Sequence, residues 1–226
     1  DEDNVFAASS MGAINSGAQT TPEFGFHGVF DGRGYTVKGF RFALGGIFGD
    51  VGKNAQIRNV AFEDCVADNV NYSAGDTRVD GIGVLGVNAN GSYVIENVYV
   101  EVSANSPNGG GLFGRSMRDG TIKNTVVRYN KTGGWNNGAL SGWGVYTKNT
   151  LLTNVYIIHE GKSDRVLGNV AAGTAISFKA GTQFIEVAAT EDAKAVNYSG
   201  LDESIWQVTA GEIPVFKTAV SSEMTD

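Results

Sequence analysis

The chain has 226 residues, enough for one sizeable core, and its 32 glycines with only 3 prolines are typical of a protein made of strands and turns. The formal net charge of -7, with no basic cluster, argues against nucleic-acid binding. No apolar run approaches the roughly 18 residues that cross a bilayer, so we expect no membrane insertion.

Residues 1–23 are small and polar without a clear period, and we expect them to lead into the first coil of a repeat or to cap it. Because the chain begins with Asp1 rather than Met, we expect neighbouring domains in a larger chain. The sequence DGRG at 31–34 predicts a turn in which the carboxylate of Asp31 bonds its own backbone.

A Gly-apolar-aromatic-Gly phrase recurs along the middle of the chain, starting with GIFG at 46–49. Ten or eleven residues after each of four copies comes an asparagine. These asparagines are Asn59, Asn97, Asn124 and Asn154, at intervals of 38, 27 and 30 residues. Intervals of this size are typical of stacked repeat units.

Mostly apolar residues stand two before, one after and three after each of these asparagines. Strict strand alternation would place the first and second positions on opposite faces. Asn tolerates the left-handed conformation, so a turn there lets both flanking strands face one core. We therefore predict that the four asparagines stack in one column at a turn, with their amides hydrogen-bonded to each other.

Stacked coils of this kind make an all-β protein, a right-handed parallel β-helix or single-stranded solenoid with irregular loop insertions and a C-terminal cap. The alternative is an antiparallel sandwich or barrel, for which DGRG is a hairpin signal, but the rest of the chain repeats by coil. We expect one domain over 1–217, composed of repeat coils (24–160), a decayed coil (161–200) and a terminal cap (201–217), followed by a tail or linker (218–226).

The terminal cap is expected to close the apolar end of the last coil, because an open end is a pairing edge. The residues predicted to cover it are Trp206, Ile213, Val215 and Phe216. Pro214, which has no N–H to donate, is placed at an edge.

The sequence FHGVFDGRGYTVKGF (26–40), followed by GGIFGDVGKNAQIRNVAF (45–62), resembles the GLUG-type repeat of bacterial and phage surface proteins. The tail LDESIWQVTAGEIPVFK (201–217) is similar to the segment that ends such arrays. The resemblance covers most of 24–160 and the tail. It implies a β-helical module outside a cell, on a cell surface or on a virion, but its motif consists of packing and turn residues and says little about function.

Carboxylates are the first place to look for glycoside hydrolysis, which needs two of them flanking one bond. The register instead predicts charge columns on an outer face, one with Arg58, Glu96, Lys123 and Thr153 and the next with Glu63, Glu101 and Arg128. Asp50 and Arg115 follow equivalent glycines and are expected to be solvated. We therefore assign no catalytic residue, no metal ligand and no cofactor.

The cysteine, the histidines and Trp143 are likewise expected to have structural roles. Cys65, the only cysteine, excludes an internal disulfide and is expected to be a small buried hydrophobe. His27 and His159 are expected on the surface or in loops. Aligned on the repeated phrase, Trp143 takes the position of Phe48, Leu85 and Phe113, which predicts a core residue.

Trp135, in the sequence YNKTGGWNNG, has no equivalent in the other coils. With Asn136 and Asn137 it is a candidate platform where a sugar ring stacks on the indole while the amides bond hydroxyl groups. The alternative is a Trp folded back onto the coil.

Apolar residues also stand two places after each asparagine, at Ala61, Tyr99, Val126 and Tyr156. Because these positions face outward, they predict an interface with another domain or, through Tyr99, Val126 and Tyr156, with a second copy.

From the sequence we expect a non-catalytic structural or attachment module on an extracellular, cell or virion surface, with glycan recognition by loops as one form of attachment. A cell-surface glycan, neighbouring domains and a second copy are the expected partners. The alternative is a β-helix enzyme, a hydrolase or lyase, that degrades polysaccharide with an acidic site on one outer face.

Overall fold

A computed structural model of the chain describes residues 5–6, 23, 25–42, 45–68, 81–134, 136–144, 147–161, 165–170 and 178–217. In these ranges nearly every regular element is a strand, and the strands stack in parallel into a solenoid of about five turns. The predicted parallel β-helix is confirmed. Among the described strands only the short last pair is antiparallel, which excludes a hairpin-built sandwich or barrel.

In chain order the strands are β1 (Val5–Phe6), β2 (Val29–Lys38), β3 (Arg41–Phe42), β4 (Gln56–Asp68), β5 (Ile82–Gly83), β6 (Gly86–Asn90), β7 (Val94–Asn105), β8 (Asn108–Gly110), β9 (Phe113–Arg118), β10 (Thr121–Gly133), β11 (Asn136–Gly138), β12 (Leu151–Gly161), β13 (Phe184–Val187), β14 (Trp206–Gln207) and β15 (Val215–Phe216). One short helix, α1 (Thr190–Ala193), lies between β13 and β14.

Each coil contributes one strand to a long sheet and shorter strands to two further sides. The long sheet has the order β1-β3-β4-β7-β10-β12-β13, with β2 also paired to β4. The second side is formed by β5, β8 and β11, and the third by β6 and β9. Because the strands pair in register from coil to coil, equivalent side chains form columns that run along the solenoid axis.

The interior of the solenoid is filled by apolar columns from the long sheet and by residues of the second side. One column, two residues before each asparagine, contains Ile57, Ile95, Ile122 and Leu152, all of them fully buried. Backbones approach closely where the second side turns, and a Cβ on Gly46 would lie 2.1 Å from the carbonyl oxygen of Gly83. Glycine is therefore required at that position.

The repeated glycine phrase drifts out of alignment in later coils, and this changes the position of Trp143. Ser141, and not Trp143, pairs with Phe113, because the second side of that coil is displaced by two residues. Trp143 is half-buried, and the guanidinium of Arg115 lies 4.4 Å from its ring centroid. The predicted core position for Trp143 is wrong.

The chain after β13 packs on the side of the solenoid and not over its end. We call residues 190–217 the C-terminal cover. Five of its buried residues form one cluster with side chains from β4, β7, β10 and β12, and they are Ala193, Tyr198, Leu201, Trp206 and Phe216. The segment 201–217 therefore covers a lateral face. Pro214 is buried, and Val215 is 40% exposed instead of covering a coil.

The last coil ends in a different way. In β13, Phe184 pairs with Val155, and its ring packs edge-on against Phe178 with 6.0 Å between centroids. Two residues later Glu186 pairs with Ile157, so a carboxylate stands in a column that is apolar in the preceding coils. A polar residue at this place ends the apolar column, as terminal repeats of solenoids do.

Candidate functional site

The four repeat asparagines all adopt the left-handed conformation, with φ of 54° at Asn59, 52° at Asn97, 49° at Asn124 and 50° at Asn154. Their neighbours on both sides pair in register from coil to coil. Each asparagine therefore turns the long strand so that the apolar residues before and after it both face the interior.

The side-chain amides link some coils but not all. Nδ2 of Asn97 donates to Oδ1 of Asn59 at 3.0 Å, and Nδ2 of Asn59 donates to Oδ1 of Asp31 at 3.1 Å. In the later coils Nδ2 of Asn154 donates to Oδ1 of Asn124 at 3.1 Å and to the carbonyl oxygen of Gly200 at 3.0 Å. Oδ1 of Asn97 is buried without a hydrogen-bond partner, so the ladder has two segments.

The column outside this ladder forms the outer apolar face, made of Ala61, Tyr99, Val126 and Tyr156. These residues pair in register and are at most 4% exposed. They are buried by the C-terminal cover, in which Trp206 lies 6.4 Å from Tyr99 and Tyr198 lies 4.7 Å from Tyr156 between ring centroids.

This burial corrects the expected interface. Tyr99, Val126 and Tyr156 are covered by the same chain, so they offer no surface to a second copy. The apolar column did signal an interface, but its partner is a later segment of the same chain. The local sequence of that segment does not predict the face on which it packs.

A charged cluster borders the cover. Arg128 donates from Nη1 to Oη of Tyr99 at 3.2 Å, and from Nε and Nη2 to Oε1 of Glu160 at 3.1 and 2.7 Å. Its Nη1 also lies 2.9 Å from Oε1 of Glu101. Oγ1 of Thr190, the first residue of α1, donates to the same Oε1 of Glu160 at 2.7 Å. Arg128 and Glu160 therefore connect three coils with the start of the cover.

Burial changes the proton affinity of this cluster. Partial burial raises the pKa of Glu101 above its ordinary value, and the nearby carboxylates of Asp64, Glu160 and Glu63 add to the effect against the opposing charge of Arg128. Burial also raises the pKa of Tyr99. Sequence analysis placed Glu101 and Arg128 in one column but missed Glu160 and Thr190, because neither belongs to that repeat position.

Two further pairs of opposite charge link neighbouring coils, as stacked columns of opposite sign favour. Nζ of Lys123 lies 2.7 Å from Oε1 of Glu96, and Nζ of Lys38 lies 2.5 Å from Oε2 of Glu63. Lys38 is exposed to solvent, which screens its pair with Glu63, and the partly exposed pair of Lys123 with Glu96 contributes about 0–1 kcal/mol.

Asp31 lies in a bulge of β2 and accepts a hydrogen bond from the backbone N–H of Arg33 at 3.0 Å, which is the turn contact predicted for it. This bond, followed by that from Asn59, lowers the pKa of the Asp31 carboxyl. Its Oδ2 also accepts from Nε of Arg58 at 3.1 Å.

Asp50 and Arg115 contradict the expectation of solvated side chains, because both are buried. Oδ1 of Asp50 accepts from the backbone N–H and from Nδ2 of Asn88, at 3.0 and 3.1 Å, and Oγ of Ser116 donates to Oδ1 of Asn88 at 2.9 Å. The repeat alignment showed that this position carries an acidic residue in one coil and a basic residue in another. It did not predict that the third side, formed by β6 and β9, is buried.

The candidate sugar site is only partly within the described ranges. Trp135 lies outside them. Asn136 donates from Nδ2 to Oδ1 of Asn108 at 2.8 Å. Asn137 is buried, accepts from Oη of Tyr129 at 2.8 Å, and donates to the carbonyl oxygens of Ser106 and Gly133, both at 3.2 Å. The amide of Asn137 thus holds the second side together and is not directed to a ligand.

The histidines differ from each other. His27 is exposed and contacts the carbonyl oxygens of Glu23 and Lys53. His159 lies in β12 and is buried, with Nε2 2.6 Å from Oε1 of Glu186, so its expected place on the surface is wrong. Cys65 is buried as expected, and burial raises the pKa of its thiol to about 12.

In the described ranges no three or more His, Cys, Asp and Glu side chains are grouped so as to hold a metal ion. The same part of the chain contains no helix with the length and apolar character needed to cross a membrane.

The stacked coils and the lateral cover define the class of this protein as a parallel β-solenoid with a self-covered outer face. Comparison with protein-family models, with curated proteins and with solved structures finds no match. The resemblance to GLUG-type repeats therefore stays a prediction.

Proposed function

We propose that this chain is a non-catalytic structural and attachment module, displayed on the surface of a cell or virion. The observation that carries the proposal is the set of contacts made by the outer charged side chains of the long sheet. Several of them form ion pairs across coils, and the apolar column beside them is closed by the chain's own C-terminal cover. Such a surface supports a stiff rod better than a reaction site.

The arrangement around Glu101 is the nearest approach to an acidic active site in the described residues. Glu101 has a raised pKa and shares its surroundings with Glu160. Hydrolysis of a glycosidic bond needs the sugar to lie between two carboxylates. Here the guanidinium of Arg128 lies between them, and Thr190 of the cover bonds the second carboxylate. This geometry supports a structural ion cluster.

The catalytic alternative is tested by incubating the chain with a panel of neutral and acidic polysaccharides and sizing the products. We expect no release of oligosaccharides above a heat-denatured control. Release that disappears in Glu101→Gln, but persists in Glu96→Gln, a matched control because its side chain is 28% exposed against 29% for Glu101, would establish the enzyme and refute the proposal.

Surface display is tested separately. Antibodies raised against the chain are expected to label intact source cells or particles as strongly as permeabilised ones. Labelling that requires permeabilisation would show an internal location and contradict the attachment role, whatever the polysaccharide assay gives.

A further inference from the structure

Five residues before each repeat asparagine the chain makes a second left-handed turn. The residues at this turn are Asn54, Ser92, Asp119 and Asn149, with φ of 64°, 52°, 58° and 58°. All four are exposed, and Nδ2 of Asn149 donates to Oδ1 of Asp119 at 3.1 Å. We call these four residues the second turn column. It presents amide, hydroxyl and carboxylate groups to solvent at one corner of the solenoid.

Basic residues stand directly before the second turn column in three of its four coils, at Lys53, Arg118 and Lys148. Arg118 and Lys148 pair between adjacent coils. Lys179 follows in the next coil, where its backbone N–H donates to the carbonyl oxygen of Thr150. At about 4.8 Å for each coil step, Lys53 and Lys148 lie roughly 14 Å apart along the axis. We call Lys53, Arg118, Lys148 and Lys179 the basic stripe, which the fold assembles from distant parts of the sequence.

Ion pairing distinguishes the basic stripe from the outer charges beside it. Lys53, Lys148 and Lys179 are exposed, and no carboxylate in the described ranges forms an ion pair with them. On the neighbouring face of the long sheet, by contrast, Lys123 is paired with Glu96. Three ammonium groups of the stripe are therefore open to an external anion.

The charge of this corner is also opposite to that of the whole chain, which is -7. Asp119 is the only carboxylate in the stripe and the second turn column. Arg118 and Lys148 place like charges opposite each other in adjacent coils, an arrangement that destabilises a sheet. An anion bound along the stripe would offset this repulsion.

The groups beside the stripe fit a polyanion that carries hydroxyl groups. The amides and the hydroxyl of the second turn column can both donate to and accept from sugar hydroxyls. Half-buried Val94 and Leu151 lie next to this column on the outer side of the long sheet and offer apolar contact to sugar C–H groups. A nucleic acid fits less well, because the stripe and the column contain no aromatic side chain on which bases would stack.

We propose that the basic stripe binds a linear anionic polysaccharide that lies along the solenoid axis. Its anionic groups would contact the cations of the stripe, and its hydroxyl groups would contact the second turn column. The inference rests on the proposed attachment function and names what is attached, at a corner of the coils and not at the loop of Trp135. The purified chain tests it, so a chain displayed on intact cells that binds no anionic polysaccharide would refute this inference alone.

Isothermal titration calorimetry of the whole chain with polygalacturonate and with dextran sulfate tests the proposal, and the two polymers distinguish carboxylate from sulfate recognition. Uncharged dextran is the control polymer. We expect at least one anionic polymer to bind with a Kd on the order of 10–100 µM per site, and dextran not to bind. A rise in salt from about 50 to about 200 mM should weaken binding by about tenfold or more, because roughly three cationic contacts release counterions.

Charge reversal within the stripe should weaken this binding. Lys53→Glu and Lys148→Glu should each raise Kd by about fivefold or more at about 50 mM salt. Lys194→Glu is the matched control, because it changes the net charge equally at an exposed position of the C-terminal cover, where Lys194 is paired with Glu191. It should change Kd by less than about twofold. Circular dichroism and melting temperature verify that each variant is folded.

Asp119→Asn provides the opposite test. It removes the only carboxylate of the two columns and introduces the residue found at Asn54 and Asn149, which tolerates the same left-handed turn. We expect it to lower Kd by about two- to threefold. A gain in affinity cannot result from misfolding.

Three results would overturn the proposal. One is the absence of binding by both anionic polymers at about 50 mM salt, with binding sites in excess of about 1 mM. Another is binding that folded Lys53→Glu and Lys148→Glu retain, or that Lys194→Glu weakens as strongly as they do. The third is tighter binding of a thymidine oligonucleotide that the same stripe variants weaken, which would assign the stripe to nucleic acid.

Discussion

Nδ2 of Asn97 donates to Oδ1 of Asn59 at 3.0 Å, whereas Oδ1 of Asn97 is buried and accepts no hydrogen bond. Asn97 therefore joins its coil to the preceding coil through the side chain but not to the following one. Between β7 and β10 the asparagine ladder is interrupted, and the coils are held by backbone pairing, by packing of their apolar columns and by the ion pairs of Lys123 with Glu96 and of Arg128 with Glu101.

Replacement of Asn97 can separate its two contributions to stability, the left-handed turn of the backbone and the side-chain hydrogen bond to Asn59. Asn97→Leu should lower the free energy of unfolding by about 1–3 kcal/mol, because a branched apolar side chain is strained at φ of 52° and the amide bond to Asn59 is lost. Asn97→Gly keeps the turn and loses only the amide, so its effect should be smaller. Chemical denaturation measures both. Equal losses in the two variants would show that backbone strain has no part in the effect.

Trp206 is the largest fully buried side chain of the C-terminal cover, and its ring packs edge-on against Phe216 at 4.6 Å between centroids. Trp206→Ala should destabilise by about 3–5 kcal/mol, the usual loss for a buried aromatic residue. Val215→Ala, at a partly exposed position of the same cover, should change stability by less than about 1 kcal/mol. A similar small change for both would show that the cover is not part of the cooperative fold.

Truncation before Leu201 removes Leu201, Trp206 and Phe216 from the outer apolar face. We expect the shortened chain to aggregate, because Tyr99, Val126 and their neighbours become exposed as a contiguous apolar patch. Size-exclusion chromatography and light scattering measure the outcome. A soluble truncated monomer with unchanged melting temperature would make residues 201–217 a linker.

Removal of the guanidinium from the ion cluster leaves two partly buried carboxylates without their common partner. Arg128→Met should destabilise by about 2–4 kcal/mol, since breaking a buried pair strands a charge. Arg58→Met, which removes the more exposed partner of Asp31, is the control and should have an effect below about 1 kcal/mol. Urea denaturation at neutral pH compares them, and an equal loss in both variants would contradict the special role of Arg128.

The pH dependence of stability follows from the raised pKa of Glu101. Because the folded state holds this proton more tightly than the unfolded state, stability falls as pH rises from the ordinary Glu value, 4.5, through the raised pKa, and is constant above it. Glu101→Gln should remove that fall. As pH rises across this window, the unfolding free energy of the wild type should therefore fall relative to that of the variant. A difference between the two proteins that does not depend on pH would contradict the raised pKa of Glu101.

Cys65 should resist thiol reagents in the folded chain. Its thiol is buried and has a pKa of about 12, so almost no thiolate is present at pH 8. We expect a disulfide reagent to label it only after denaturation. Labelling of the native chain at the rate of a free peptide thiol would show that β4 opens readily at this position.

The fold could be predicted from the sequence because the determining interactions repeat. An asparagine at φ near 50° and apolar residues at fixed distances from it recur in four coils, and each recurrence specifies the same local turn and the same interior face. The prediction is less accurate where the repeat is less regular. The second side of the fourth coil is displaced by two residues, so the alignment that gave the core residues elsewhere misplaced Trp143.

The columns and their register depend on repeated residues in neighbouring coils, and these repeats can be seen in the sequence. The sequence alone therefore determined the solenoid, the asparagine turns and the outer charge columns. Only the tertiary structure decided what lies over those columns. The outward column of Arg58 stays partly exposed whereas the outward column of Tyr99 is buried, Asp50 is buried and not solvated, and the tail covers a side and not an end. Burial of an outer face depends on contacts between segments far apart in the chain, which no local periodicity encodes.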